Sequence, residues 1–325
     1  MFYYRSKKMA NTTLHDFHIS AGLKDYIDDL DFKRRHPKEL NGISTGYDHL
    51  DMKLDGLKPG EVTIIGGRPA MGKTAFASSL IYNIARDFYT KEDNKCVVYV
   101  GLEESLKQFV QRLISLQTLI PLYNLRTKKD LNFDKICQAE KVLNKFPIYY
   151  LSDIDNVDDI AQKLQGIQKQ KQIGCVFIDY LQLFGEEYQS KEDYSPVMKQ
   201  IKDFAIKFNV PIIVLSQLKR DLETRTDKRP LRCDIRGYAH NQSAVDNILF
   251  LYREIYYIRY NEPTKRKRET DEHYQQRLNE WQAQCKEVDD LCEIIIAKNA
   301  NGTCSYVKMH FDWATGLFRE REQDF

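Results

Sequence analysis

At 325 residues the chain is long enough for one large α/β domain with appendages or for two modest domains. Its 42% hydrophobic and 30% charged content is that of a folded soluble protein, and a net charge of only +2 excludes gripping a polyanion through a global field, so any hold on nucleic acid must be local. The apolar runs are strand-sized, which excludes a membrane span or signal peptide; seven cysteines, an odd number with no C-x-x-C pair, argue against a disulfide framework and a zinc site, and a reducing cytosol is the expected compartment.

Residues 1–40 are polar and charged with one amphipathic stretch, Leu23, Tyr26, Ile27, Leu30 and Phe32, whose spacing predicts a short helix with one apolar face ending before Pro37. A helix of that length is marginal alone, so its face needs a partner, either its own domain or a neighbouring subunit.

From Gly42 a βα pattern begins. Strands are expected at 62–66, 96–100, 148–151, 175–179, 211–216, 248–252, 292–298 and 305–311, with helices at 75–86, 105–119, 133–145, 157–170 and 197–208. Strands separated by such helices imply parallel pairing with right-handed crossovers. The last three strands lack crossover helices at the usual positions, which predicts antiparallel strands at the C-terminal edge of an otherwise mostly parallel sheet. The division expected is 1–40 as tail and helix, and 41–325 as one α/β domain with a charged helical insert at about 261–290. That insert opens on Lys265-Arg266-Lys267-Arg268 and places Tyr274, Leu278, Trp281, Cys285, Val288 and Cys292 on one helix face. The basic run reads as a solvated turn, and the helix as a cover for the sheet edge rather than a partner-docking element.

The strongest chemical signal is Gly67-Arg68-Pro69-Ala70-Met71-Gly72-Lys73-Thr74, a phosphate-loop template preceded by the apolar run 62–65 and followed by a helical pattern at Phe76, Leu80, Ile81 and Ile84. Such a loop turns backbone N–H groups and a helix N-terminus toward phosphate. Lys73 would neutralise phosphate charge and Thr74 would offer its hydroxyl to Mg²⁺. Hydrolysis also needs a metal-linked acid, a residue to polarise water and a group that senses the terminal phosphate, all at the carboxyl ends of neighbouring strands. Asp179 ends one apolar run; Glu103 and Glu104 follow another, one of them suited to water and the other to a helix N-terminus; Gln217 follows a third.

These strings, together with Gly101-Leu102-Glu103-Glu104-Ser105, Ile178-Asp179-Tyr180-Leu181-Gln182-Leu183, Ser216-Gln217-Leu218 and Lys228-Arg229-Pro230-Leu231-Arg232-Cys233-Asp234-Ile235-Arg236, resemble in order the motif series of the DnaB-type replicative helicases. The resemblance runs over roughly 20–325, the insert apart. It implies a RecA-like P-loop ATPase that assembles as a hexameric ring, binds ATP and Mg²⁺ between subunits and draws single-stranded DNA through its centre. It assigns Lys73 and Thr74 to phosphate and metal, Glu103 to the catalytic carboxylate, Asp179 to the metal, Gln217 to the phosphate sensor, and Lys298 to a neighbour's nucleotide. It also makes 23–30 resemble a linker helix that docks on the adjacent subunit. Lys199, Lys202, Arg220 and Arg236 are the basic candidates for contact with DNA. A primase, a loader or a separate collar protein are the implied further partners.

Departures from the family pattern accompany the match. No stretch corresponds to the family's helical collar domain, which tilts the expected origin toward a phage or mobile element. Where the family carries an arginine finger after its lysine, Lys298-Asn299-Ala300-Asn301-Gly302 has Ala300, so Arg319, Arg321 or the insert's basic run would have to substitute. The loop at 185–193 is acidic and would repel phosphates, and Gly237-Tyr238-Ala239-His240 lacks the family's Glu-Ser-Gly. Two alternatives therefore stand beside the helicase motor: a nucleotide-dependent assembly switch, or a helicase-binding or loading protein with weak hydrolysis. A recombinase or circadian-type ATPase matches the strings less well.

Overall fold

The computed structural model describes residues 19–36, 39–179, 195–235 and 243–321. The chain parts into two compact units, Met1–Asn41 and Gly42–Phe325. In the first, α1 (Ser20–Arg35) carries Leu23, Tyr26, Ile27 and Leu30 as exposed side chains. No helix among the described residues is long and apolar enough to cross a membrane.

The second unit is built on nine strands: β1 (Val62–Gly67), β2 (Lys95–Gly101), β3 (Ile148–Leu151), β4 (Gln172–Asp179), β5 (Ile212–Gln217), β6 (Asn247–Tyr252), β7 (Leu291–Lys298), β8 (Ser305–Asp312) and β9 (Leu317–Glu320), in spatial order β3-β2-β4-β5-β1-β6-β7-β8-β9. The first six in that order run parallel; α-helical crossovers connect β1 to β5 in chain order, and among the described residues the connection from β5 to β6 carries two short 3₁₀ turns in place of an α-helix. At β6 the direction changes: it pairs parallel with β1 and antiparallel with β7, and β8 and β9 continue antiparallel. The sequence pattern groups the sixth strand with the edge and misses β9, a four-residue strand joined to β8 by a tight turn, too short to show a period of its own.

Alternation along the strands separates two cores. Ile65, Val97, Tyr99, Ile213, Leu215, Leu249 and Leu251 face α2 (Asp48–Leu54), α3 (Lys73–Thr90) and α4 (Leu106–Thr118), whereas Ile64, Val98, Val176, Ile212, Val214 and Phe250 face α7 (Val157–Gln168) and α8 (Ser195–Phe208). Two further helices, α5 (Leu122–Thr127) and α6 (Phe133–Leu143), complete the α4 side. With both faces covered, the strands read as continuous apolar runs rather than alternating ones.

After β6, the chain forms α9 (Glu254–Tyr260) and α10 (Asp271–Glu287). The heptad-like seam holds for Tyr274, Leu278, Trp281 and Cys285, which are half-buried toward α9, with Trp281 Nε1 donating to Ile258 O at 2.8 Å; it stops there, because α10 ends at Glu287, Val288 is its C-cap and Cys292 is buried in β7. The basic run 265–268 is exposed.

Candidate active site

Across the carboxyl edge of the sheet lie, in order, Gly101 of β2, Asp179 of β4, Gln217 of β5, Gly67 of β1 and Tyr252 of β6. Gly101 pairs with Asp179 and Gly67 with Gln217 in the strand registers. The phosphate loop leaves β1 at the middle of this row and turns directly into α3. Ala70 (φ 63) and Gly72 (φ 94) take left-handed backbone, the geometry that gathers N–H groups into an anion nest. A side chain at Gly72 would be strained by that φ and tight against the Phe311 ring, whose Cζ lies 3.3 Å from where a Cβ would sit. Gly72 is the N-cap of α3 and provides no side-chain acceptor, so the helix presents its amino end to the loop.

Lys73 Nζ donates to Gly67 O at 2.8 Å and Arg68 O at 3.2 Å. Burial lowers its pKa to about 8 against the pull of Asp179 and Glu103, and the neighbouring Arg68 charge lowers it further. Asp179 is 2% exposed. Burial raises its carboxyl to about 6; the Tyr99 hydroxyl, which donates to Oδ2 at 3.1 Å, opposes the rise, Glu103 adds to it, and a hydrogen bond from Thr74 opposes it. An anion desolvated this far beside a lysine held at its own loop carbonyls is a site whose charges await a further partner.

The two glutamates separate by environment. Glu104 Oε2 accepts from Arg112 Nε at 2.8 Å, its Oε1 lies 3.3 Å from the Tyr99 hydroxyl and shares that one proton with Asp179, and its side chain is only 8% exposed. Tyr150 OH donates to the Glu104 carbonyl as well. Glu103 is exposed, and its charge acts on both Lys73 and Asp179. Glu104 therefore braces the strand end and Glu103 faces the loop.

Sequence reasoning gave no role to Arg253, which follows β6. It is 8% exposed, its guanidinium lies 4.6 Å from the Phe311 ring centroid, Nη1 reaches Ala70 O at 3.4 Å, and Nε has no hydrogen-bond partner among the described residues. The signal was present: like Asp179, it is a charge placed directly after a buried strand.

Other candidates stand elsewhere. Lys298 ends β7 opposite Ile248, and its Nζ donates to Val245 O at 2.5 Å. That is the amino end of the parallel strands, the whole length of β1 away from Gly67, roughly 17 Å at a strand's rise. Lys202 Nζ is at the same end, donating to Asp246 Oδ2 at 2.7 Å and Gly60 O at 2.8 Å. Lys199, Arg220, Arg319 and Arg321 are exposed, and Ala300 is held by its N–H on Asn247 Oδ1 at 3.2 Å. Arg236, the acidic loop at 185–193 and the string 180–183 lie outside the described residues.

The family described as "DnaB-like helicase C terminal domain" matches residues 42–320. Among curated relatives, the chain is 31% identical over 306 residues to the replicative DNA helicase DnaB of Rickettsia bellii, covering 90% of this chain and 60% of that one. It is 34% identical over 317 residues to that of Rickettsia prowazekii (94% and 63%), and 32% over 306 residues to that of Geobacillus stearothermophilus (92% and 61%). The chain thus spans about three-fifths of the length of the curated relatives it matches. Two solved structures superpose with a TM-score of 0.74 at 26% identity. One is described as an ATPase domain, with 92% of this chain and 99% of that one covered. The other is "The Structure Of A DnaB-Like Replicative Helicase And Its Interactions With Primase", with 94% and 67% covered. With the phosphate loop, the strand-end acids and the sheet order all in place, the chain belongs to the family of DnaB-like helicase C-terminal domains.

Proposed function

We propose that this chain is the ATP-hydrolysing motor of a replicative DNA helicase, translocating on single-stranded DNA. The observation that carries the reading is the convergence of Lys73, Thr74, Glu103, Asp179 and Gln217 on one loop from adjacent strand ends. Lys73, released from its loop carbonyls, would neutralise the terminal phosphates. Glu103 orients and polarises the attacking water, Gln217 hydrogen-bonds the terminal phosphate and registers its loss, and Arg253 with Phe311 supplies a flat cationic and aromatic wall beside the loop.

The Thr74 hydroxyl and Asp179 carboxylate suit Mg²⁺, which keeps water and phosphate ligands and takes only one or two protein oxygens; among the described residues no three His, Cys, Asp or Glu side chains gather into a closed cage for another metal. When bound there, the ion would offset charge on the phosphates.

Lys298 stands at the far end of the sheet from Lys73 in its own chain, so a role in hydrolysis requires a second copy presenting that end to the first copy's loop. A hexameric ring does this. Lys199 and Arg220, both exposed, are the candidates for DNA phosphates, with Arg236 as the third; Lys202 would first have to leave Asp246.

Ala300 favours a second reading, an ATP-dependent assembly switch or loader with slow turnover. The deciding experiment measures ATP hydrolysis with and without oligo-dT, strand displacement, and particle mass with a non-hydrolysable ATP analogue. A motor gives DNA-stimulated turnover, displacement lost in Lys73→Ala, and six subunits. A switch gives nucleotide-dependent assembly without displacement.

A further inference from the structure

We propose that Arg68 is a positioning residue that links the occupancy of the phosphate loop to Gln217 and to the segment 218–235. The inference rests on the nucleotide site proposed above and deepens it. Arg68 is inside the loop yet aims its guanidinium away from it: Nη1 donates to Leu218 O at 2.8 Å and Nε to Glu223 Oε1 at 2.8 Å, with the residue 8% exposed. Leu218 is the residue directly after Gln217, so the arginine holds the peptide next to the sensor.

The segment beyond is a closed unit. Leu218 bridges to Ile235, Lys219 N donates to Asp234 O at 2.8 Å, and Asp234 Oδ2 accepts from Arg225 Nη2 and Leu231 N, both at 2.7 Å. Its far side is fixed to β7, where Arg229 forms two 2.9 Å hydrogen bonds with the carboxylate of Glu293 over the Tyr252 ring. It is therefore tied together from within, and Arg68 is a described side-chain link to it from the phosphate loop.

The backbone of the same residue senses the loop. Arg68 O accepts from Lys73 Nζ at 3.2 Å, beside Gly67 O at 2.8 Å. A phosphate that draws Lys73 toward itself takes a cation off the carbonyl of the residue whose side chain grips Leu218. Two arrangements of one lysine are thus converted into two loads on the peptide beside the sensor. An arginine is needed because its fork serves two acceptors in fixed directions; a lysine in its place keeps the charge and loses the second bond.

The test is hydrogen exchange on the full chain with and without a non-hydrolysable ATP analogue, alongside nucleotide affinity and steady-state hydrolysis, for wild type, Arg68→Lys, Arg68→Gln and Glu223→Gln. In wild type the analogue should slow exchange across 218–235. In Arg68→Gln that nucleotide-dependent protection is expected to vanish while affinity stays within about threefold and kcat drops by at least about thirtyfold. Glu223→Gln, which keeps an acceptor for Arg68 Nε but removes the charge that pairs with it, is expected to show the same pattern at roughly a tenth of the size, with Arg68→Lys between. Unchanged protection in a folded Arg68→Gln overturns the proposal, as does a loss confined to affinity, which would make Arg68 a ligand contact. Absence of hydrolysis in wild type would instead count against the motor reading, with the exchange difference still deciding the role of Arg68.

Discussion

At the amino end of the sheet, Lys202 reaches both Asp246 and Gly60 O, Asp246 Oδ2 also accepts from Val62 N, and Glu61 receives Asn247 and Asn301 on its two oxygens. At the carboxyl end of the same strands, among the described residues, Lys73 rests on its own loop's carbonyls, Asp179 accepts from the Tyr99 and Thr74 hydroxyls, and Arg253 leaves Nε unpartnered. Both ends are rich in charge; at the carboxyl end the Arg112–Glu104 and Arg68–Glu223 pairs are closed, while Lys73 and Asp179 share no ion pair among the described residues. The difference separates a structural network from a binding site: uncompensated buried charge costs stability and persists where a ligand supplies the compensation.

The sharpest break between the two ends is a pair of substitutions. Lys73→Ala is expected to reduce ATP turnover by at least about a thousandfold with little change in melting temperature, since it removes the loop's cation and no internal ion pair. Lys202→Ala should do the reverse, leaving kcat within about threefold and lowering the melting temperature. Turnover assays and thermal melts on both variants check this; equal losses of activity would erase the distinction.

Next in size is the contrast between adjacent glutamates. Glu103→Gln should cut kcat by about 10²–10⁴ with nucleotide affinity kept, the usual span for a lost general base. Glu104→Gln should act through stability, because its carboxylate braces Arg112 and Tyr99. Pre-steady-state hydrolysis alongside equilibrium nucleotide binding distinguishes the two.

How much of this was legible follows from where each signal lies. The phosphate loop, Asp179 and Gln217 announce themselves because a strand end and its chemistry are contiguous in the chain, so an apolar run followed by one polar residue is enough. The choice between Glu103 and Glu104 was legible through the resemblance and not through spacing, since its physical basis is Arg112, eight residues and more than two helical turns further on, and Tyr99, five residues back on β2. Arg253 escaped because its distinguishing property is a buried nitrogen without a described partner, which no spacing reveals. Lys202 read as a DNA contact because its partner Asp246 is 44 residues distant. The change of direction at β6 was half visible: the missing crossover helices show that antiparallel strands follow, not which strand is the pivot.

A third prediction concerns pH. The folded-state pKa of Asp179, raised by burial to about 6 from an unfolded value of 3.8, means that its contribution to stability is present in full below the unfolded value and is lost as pH rises through about 6. Without nucleotide or Mg²⁺, wild type should therefore lose about 2 kcal/mol between pH 4 and pH 7 relative to Asp179→Asn, at roughly 1.4 kcal/mol per pH unit of the separation between the two values that falls in that window. Urea denaturation of both proteins at the two pH values measures it. The variant is expected to be the more stable at pH 7 and inactive, a trade of stability for function that belongs only at the carboxyl end.

The smallest effect tests whether the amino end is purely structural. Asp246→Asn keeps the shape and an acceptor for Val62 N but removes the charge facing Lys202, whose side chain and partner are both about one-fifth exposed. Partial solvent screening limits the loss to about 1–2 kcal/mol, below that of a fully buried pair. Because Lys298 lies within reach of the same Asp246 charge, which holds up a lysine pKa that burial lowers, the substitution also favours neutral Lys298. If Lys298 serves a neighbouring copy's nucleotide, the alkaline limb of the turnover profile should move to lower pH in Asp246→Asn while affinity for nucleotide is unchanged. A profile that keeps its shape, with only the melting temperature reduced, confines Asp246 and Lys298 to holding the amino ends of β1 and β6 and the end of β7 in place.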